Sequence, residues 1–208
     1  MRQARRSTLK VAVLALAIGG LGLATSARSD DDDDDEGLRS GMVFTSTNAV
    51  TGNEVLVYAS PDTSGLAFRT RVATRGTGTG GGLGNQGAVT LSRDGRHLFV
   101  VNARSNNVTT FAVRRRALAW MSTTDAGGLQ PVSVTEHHGI VYVLNANGPG
   151  NVTGFRNVDG VLTALPGSTQ PLSATTGTGP AQVGFDPEGE VLLVTEKATN
   201  KLTSYRVV

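Results

Sequence analysis

The chain has no cysteine, one tryptophan and only 17% charged residues. The missing cysteine excludes thiol catalysis, thiolate-held metals, iron–sulfur clusters and disulfides. Aromatics are scarce at 5%, and Trp120 is not followed by aspartate, so the Trp-Asp repeat signature is absent. After residue 36 no long run carries apolar residues at i, i+3, i+4 and i+7, so no amphipathic helix is expected. The longest apolar stretch, 11–23, has thirteen residues. A membrane span needs roughly 20, so no stable span is expected. There is no G-x-S-x-G elbow for a serine nucleophile. His97, His137 and His138 lack the spacing of a ligand pair, and no metal or cofactor is expected.

What is abundant is glycine, 27 residues, together with short apolar runs. Four segments each run apolar, turn through a short polar stretch, and run apolar again: 43–58, 98–111, 141–155 and 192–205. Each ends on an aromatic: Tyr58, Phe111, Phe155 and Tyr205. Self-similarity at about 50 residues, built from short strands, is the pattern of a β-propeller. One blade cannot bury both of its faces, so blades stack around an axis. The expected fold is all-β, with blades of four antiparallel strands. Residues 87–91, 98–101, 108–113 and 117–121 supply one such blade. Asp94-Gly95 turns its first two strands, with glycine taking φ > 0 at low cost. Asp186-Pro187-Glu188-Gly189 does the same two units later, and Glu136-His137-His138-Gly139 stands where the turn between them belongs. Arg114-Arg115-Arg116 falls at the next hairpin tip, a solvated place for charge. The glycine-rich stretches 74–87 and 172–180 are followed by strand patterns rather than helices. They therefore read as crossovers at one mouth of the channel, not as phosphate loops.

The chain divides into three parts. Residues 1–27 carry Arg2, Arg5, Arg6 and Lys10, then the apolar stretch, then Thr25-Ser26-Ala27. That is an export signal with cleavage expected near Ala27. Arg5-Arg6 before Leu9-Lys10 resembles the twin-arginine type. The expected location is secreted or periplasmic. Residues 28–40 include seven adjacent carboxylates, Asp30 to Glu36, and read as a disordered acidic spacer. Residues 41–208 form the partial propeller. From residue 37 onward there are 14 basic and 10 acidic residues. No basic stripe interleaves with aromatics, so nucleic acid is not an expected partner.

The repeat resembles that of the seven-bladed lactonase-type propellers, the 6-phosphogluconolactonases and carboxymuconate cyclases. The shared pattern stands here as Ser92-Arg-Asp94-Gly95-Arg96-His-Leu98-Phe-Val100-Val-Asn102, then Ser105-Asn106-Asn-Val108-Thr-Thr-Phe111. In the last unit Gly177-Thr-Gly179-Pro180, Phe185-Asp-Pro187-Glu-Gly189 and Val194-Thr-Glu196-Lys197 follow the family's catalytic region. The resemblance implies seven blades, and 41–208 supplies roughly three and a half. A fragment, or two arcs closing one ring, would account for that, and open blade edges lead to an expectation of self-association.

The resemblance also points to residues. Glu196 matches the family's glutamate and is the candidate catalytic acid or base. Ala181 stands where the family has arginine and Gln182 where it has histidine. Glutamine orients a ligand but carries no proton near neutral pH. Gln86, Gln130 and Gln182, each near a blade's opening strand, form a candidate amide set with Lys197 beside it. Two functions stay open. One is a non-catalytic exported propeller that binds a small molecule or a protein at the channel mouth. The other is a lactonase or cyclase using Glu196 on a sugar or muconate lactone.

Overall fold

A computed structural model describes residues 41–60, 65–115 and 117–207, and the backbone of 25–27. No helix occurs among them, and none therefore is long and apolar enough to cross a membrane. Four antiparallel sheets follow one another along the chain. Blade 1 contains β1 (Thr25–Ala27), β2 (Gly41–Ser46), β3 (Glu54–Ser60) and β4 (Ala67–Ala73). Blade 2 contains β5 (Val89–Leu91), β6 (His97–Asn102), β7 (Asn107–Arg114) and β8 (Ala117–Asp125). Blade 3 contains β9 (Leu129–His137), β10 (Ile140–Asn147), β11 (Asn151–Val158) and an interrupted outer strand, β12 (Val161–Ala164) and β13 (Gln170–Pro171). Blade 4 shows three strands, β14 (Pro180–Phe185), β15 (Val191–Glu196) and β16 (Lys201–Arg206). Within every sheet the strands lie in chain order. The expected signal segment and acidic spacer lie outside the described residues, apart from β1. Its backbone pairs Thr25 with Phe44 and Ala27 with Met42.

Burial explains which sequences make which strand. The second and third strands lie between blades, so they need apolar side chains on both faces. β6, HLFVVN, is buried from Leu98 to Asn102. The first strand of each blade faces the axis and the fourth faces outward. β4 accordingly buries almost nothing. Turn chemistry sets the register. β9 and β10 are joined by His138 and Gly139, at φ 48° and 80°. Asp159 and Gly160, at 49° and 82°, join β11 to β12 in the same manner. Both are two-residue turns of the type that matches strand twist.

Three apolar clusters fill the joints. Phe44, Val55, Val57, Leu98 and Phe111 lie between blades 1 and 2. Phe99, Val108, Val141 and Phe155 lie between blades 2 and 3. Tyr142, Val152, Leu192 and Val194 lie between blades 3 and 4, with Tyr205 packed against them. The four repeat aromatics occupy one register position: Tyr58 opposes Val43, Phe111 Leu98, Phe155 Val141 and Tyr205 Leu192. Phe111, Phe155 and Tyr205 each pack on the blade before. Tyr58 instead meets Phe68, with ring centroids 5.7 Å apart.

The crossover from β4 to β5 does more than join neighbours. Asn48 holds its first half, donating to Thr79 Oγ1 and the Gly81 carbonyl, both at 2.8 Å. Its second half reaches blades 3 and 4. Asn85 donates to the Val132 carbonyl and Lys197 to the Gly84 carbonyl. Gln86 N donates to the Ala181 carbonyl at 2.9 Å. The segment is a strap from blade 1 across the inner strands to blade 4.

Candidate functional site

The second strand of each later blade carries a buried polar side chain at or near its end. Asn102 opposes Asn107, Asn145 opposes Asn151, and Glu196 opposes Lys201. All three face a third-strand threonine: Thr109, Thr153 or Thr203. The Asn102 carboxamide accepts from Thr74 Oγ1 (2.7 Å) and Asn53 Nδ2 (2.9 Å). It donates to Asn107 Oδ1 (2.8 Å) and Thr109 Oγ1 (2.9 Å). A Cβ on Gly76 would overlap this carboxamide, so the crossover can press against it only as glycine. Gly128 stands in the same relation to Asn145.

Glu196 fills this place in blade 4. It is 1% exposed. Its carboxylate accepts from Ser173 N (3.1 Å), the Ser173 hydroxyl, Thr199 Oγ1 (3.1 Å) and Thr203 Oγ1 (2.8 Å). Burial alone would raise its pKa. The bonds from Ser173, Thr203 and Thr199 outweigh that and hold it below the ordinary value. Tyr205 is pushed up to about 12, by burial first and by the Glu196 charge second. The geometry is that of a fastener between blade 4 and the incoming crossover.

A groove runs along the inner strands of blades 2, 3 and 4. It has a volume of about 550 Å³. Gln86 and Gln182 line it at the crossover end, and Arg93, Glu136, His137 and Asp186 at the hairpin end. Neither glutamine carboxamide has a hydrogen bond among the described residues. Glu136 accepts from the backbone of Arg93 (2.7 Å) and Gly139 (2.6 Å). Asp186 Oδ1 accepts from the backbone of Glu190 (2.8 Å) and Val191 (3.0 Å). Among the described residues the Arg93 side chain makes one hydrogen bond, Nη1 to His137 Nε2 at 2.9 Å. His137 and Phe185 have ring centroids 5.6 Å apart. A Cβ on Gly189 would collide with the other edge of the His137 ring, and Gly189 also sits at φ 77°.

The structure thus brings Gln86 and Gln182 to one groove and leaves Gln130 apart. Gln130 has φ 54°, and its N–H donates to Asn106 Oδ1 at 2.8 Å. Lys197 is engaged by the strap. Glu196 faces the joint with blade 3 rather than the groove. One placement corrects the sequence reading. His137 lies outside the turn expected over 136–139. The tight turn takes only His138 and Gly139, which keeps His137 on the inner strand β9 and in the groove wall. Arg93 escaped notice because nothing local distinguishes it from a solvated turn residue. No cluster of three or more histidine or acidic residues among those described could hold a metal ion.

Fold and joints together define an arc of a β-propeller. No family model and no curated protein matches the chain. Solved structures do. The periplasmic gluconolactonase PpgL of Pseudomonas aeruginosa matches over 80% of this chain and 55% of its own, with TM-score 0.59 and 16% identity. A 6-phosphogluconolactonase candidate from Bacteroides fragilis matches over 91% and 51%, with TM-score 0.58 and 18% identity. A protein from Lactobacillus plantarum matches over 91% and 52%, with TM-score 0.62 and 16% identity. The chain spans about half the length of these structures. At such identity the likeness is one of fold.

Proposed function

We propose that the chain is an exported propeller that binds a small, uncharged, hydroxyl-rich molecule in the inner groove and does no lactone chemistry. The observation that carries this reading is the meeting of Gln86 and Gln182 on one groove, their carboxamides unbonded among the described residues. A carboxamide both donates and accepts, as a hydroxyl does. Arg93 adds further donors, and the ring of Phe185 an apolar surface. The wall carboxylates, Glu136 and Asp186, are already engaged by backbone N–H groups. The groove volume lies within the roughly 300–1,000 Å³ usual for small-molecule sites.

Glu196 supports the non-catalytic side. A general acid or base must reach the proton it moves. This carboxylate is buried and has a donor on each oxygen. Export rests on the basic start, the apolar stretch and the small residues before Ala27. Cleavage after Ala27 would remove β1 and leave β2 as the inner edge of blade 1. A second reading, a lactone-processing enzyme, is favoured by the gluconolactonase among the fold neighbours.

Titration calorimetry with D-glucose and D-glucono-1,5-lactone tests both. Binding is expected, and Gln86→Ala with Gln182→Ala should weaken it about tenfold or more. No binding of either probe, or binding untouched by both substitutions, would remove the groove reading. Lactone hydrolysis should stay at background. Turnover lost in Glu196→Gln would establish the enzyme instead.

A further inference from the structure

The joints between blades repeat residue for residue. Each blade offers the next one an apolar pair from its second and third strands. The pairs are Phe44 and Val55, Phe99 and Val108, and Tyr142 and Val152. All six are at most 8% exposed. The next blade answers with Leu98 and Phe111, Val141 and Phe155, or Leu192 and Tyr205. The same positions exist at the two outer faces of the arc. Blade 4 offers Leu193 and Leu202, which no described blade answers. Leu202 is 64% exposed, whereas Val55, Val108 and Val152 are at most 1% exposed. Blade 1 carries the answering pair, Val43 and Tyr58, and no blade precedes it among the described residues. Beside Tyr58, Phe68 is 52% exposed.

We infer that these two half-joints meet in a second copy of the chain, blade 4 of each arc docking on blade 1 of its partner. The faces are matched because they repeat the positions that fit three times within the arc. A closed propeller has four to eight blades, and two arcs of four complete such a ring. Closure makes two joints at once, each patterned on internal clusters of eight to ten buried apolar residues. A head-to-tail contact that closes after two copies stops at the dimer, whereas one that does not close grows into a filament. The inference is independent of the ligand reading.

Sedimentation velocity of the purified chain should give a dimer that persists on dilution. Tyr58→Glu and Leu202→Glu should each weaken it by about 100-fold or more, because each breaks both joints. Mixing the two variants should restore dimers. In the mixture one joint keeps Leu202 against Tyr58, and the other carries both substitutions. Far-UV circular dichroism of each variant, with Phe68→Glu as a second substitution on the same face, separates lost association from lost folding. A monomer at every concentration would overturn the inference. So would a ladder of larger species, or a dimer indifferent to these folded variants, or one that mixing does not restore.

Discussion

Blades 2 and 4 hold the same register position with opposite chemistry. In blade 2 the Asn102 amide both gives and takes: Thr74 and Asn53 donate to it, while Thr109 and Asn107 accept from it. In blade 4 the Glu196 carboxylate only takes, and its surroundings consist of donors. The equivalent threonines show the reversal. Thr109 accepts from Asn102 and passes its own proton to the Thr74 carbonyl at 2.7 Å. Thr203 donates directly to Glu196. One fold position thus tolerates an amide or a charge, provided the hydroxyls around it turn to match. The consequence is a neutral fastening for blade 2 and an ionic one for blade 4.

The largest effect should come from deleting the ionic fastener. Glu196→Ala leaves the Ser173 N–H and hydroxyl and the Thr203 hydroxyl facing a buried space. Unsatisfied buried donors put the cost at about 2–4 kcal/mol. Glu196→Gln restores an amide like that of Asn102, and rotation of the hydroxyls should limit its cost to about 1–2 kcal/mol. Urea denaturation measures both. Equal midpoints for wild type and Glu196→Ala would mean that Glu196 does not fasten blade 4.

A smaller, conditional effect follows from charge. The folded-state pKa of Glu196 lies below its unfolded value of 4.5. Its contribution is therefore complete above about pH 4.5 and is lost as pH falls through the folded value. Melting curves of wild type and Glu196→Gln should differ at neutral pH and converge as the medium is acidified below that point. Asn102→Ala should show no such convergence, because its fastener does not titrate. A gap that stays constant from pH 7 to 3 for Glu196→Gln would contradict the ionic reading.

The blades were legible in the sequence because their signals are local. The aromatic at the third strand, the Asp-Gly and His-Gly turns and the alternation in β3 are each set by a few neighbouring residues. The fastener was half legible. Val100-Val101-Asn102, Val143-Leu144-Asn145 and Val194-Thr195-Glu196 repeat along the chain. Register places Glu196 at the asparagine of that repeat. The partners that decide its chemistry lie in the crossovers, and spacing alone does not bring Ser173 to it. Gln86 and Gln182 lie 96 residues apart and meet only because the strap folds inward. Gln130 resembles them in sequence, but its positive φ and its bond to Asn106 set it elsewhere.

Blade 3 supplies the smallest test and a third version of the comparison. Asn145 donates to the Ala126 carbonyl (3.0 Å) and Asn151 Oδ1 (2.9 Å), but its own Oδ1 is buried without a partner among the described residues. The reason lies in the crossover. Thr74 N donates to the Asn53 carbonyl and Ala126 N to the Asn106 carbonyl, both at 2.9 Å, so the two residues are equivalent. Thr74 carries the hydroxyl that satisfies Asn102, and Ala126 carries none. Ala126→Ser adds a donor on a Cβ already in place, at a position 0% exposed. A net gain of about 1 kcal/mol is expected, or roughly 2–4 °C in Tm for a chain of this size. Thr74→Ala should make the reciprocal loss in blade 2. A fall in Tm for Ala126→Ser would show that the two crossovers do not share one geometry. A rise alongside a loss for Thr74→Ala would establish that the crossover hydroxyl, not the asparagine alone, completes the joint.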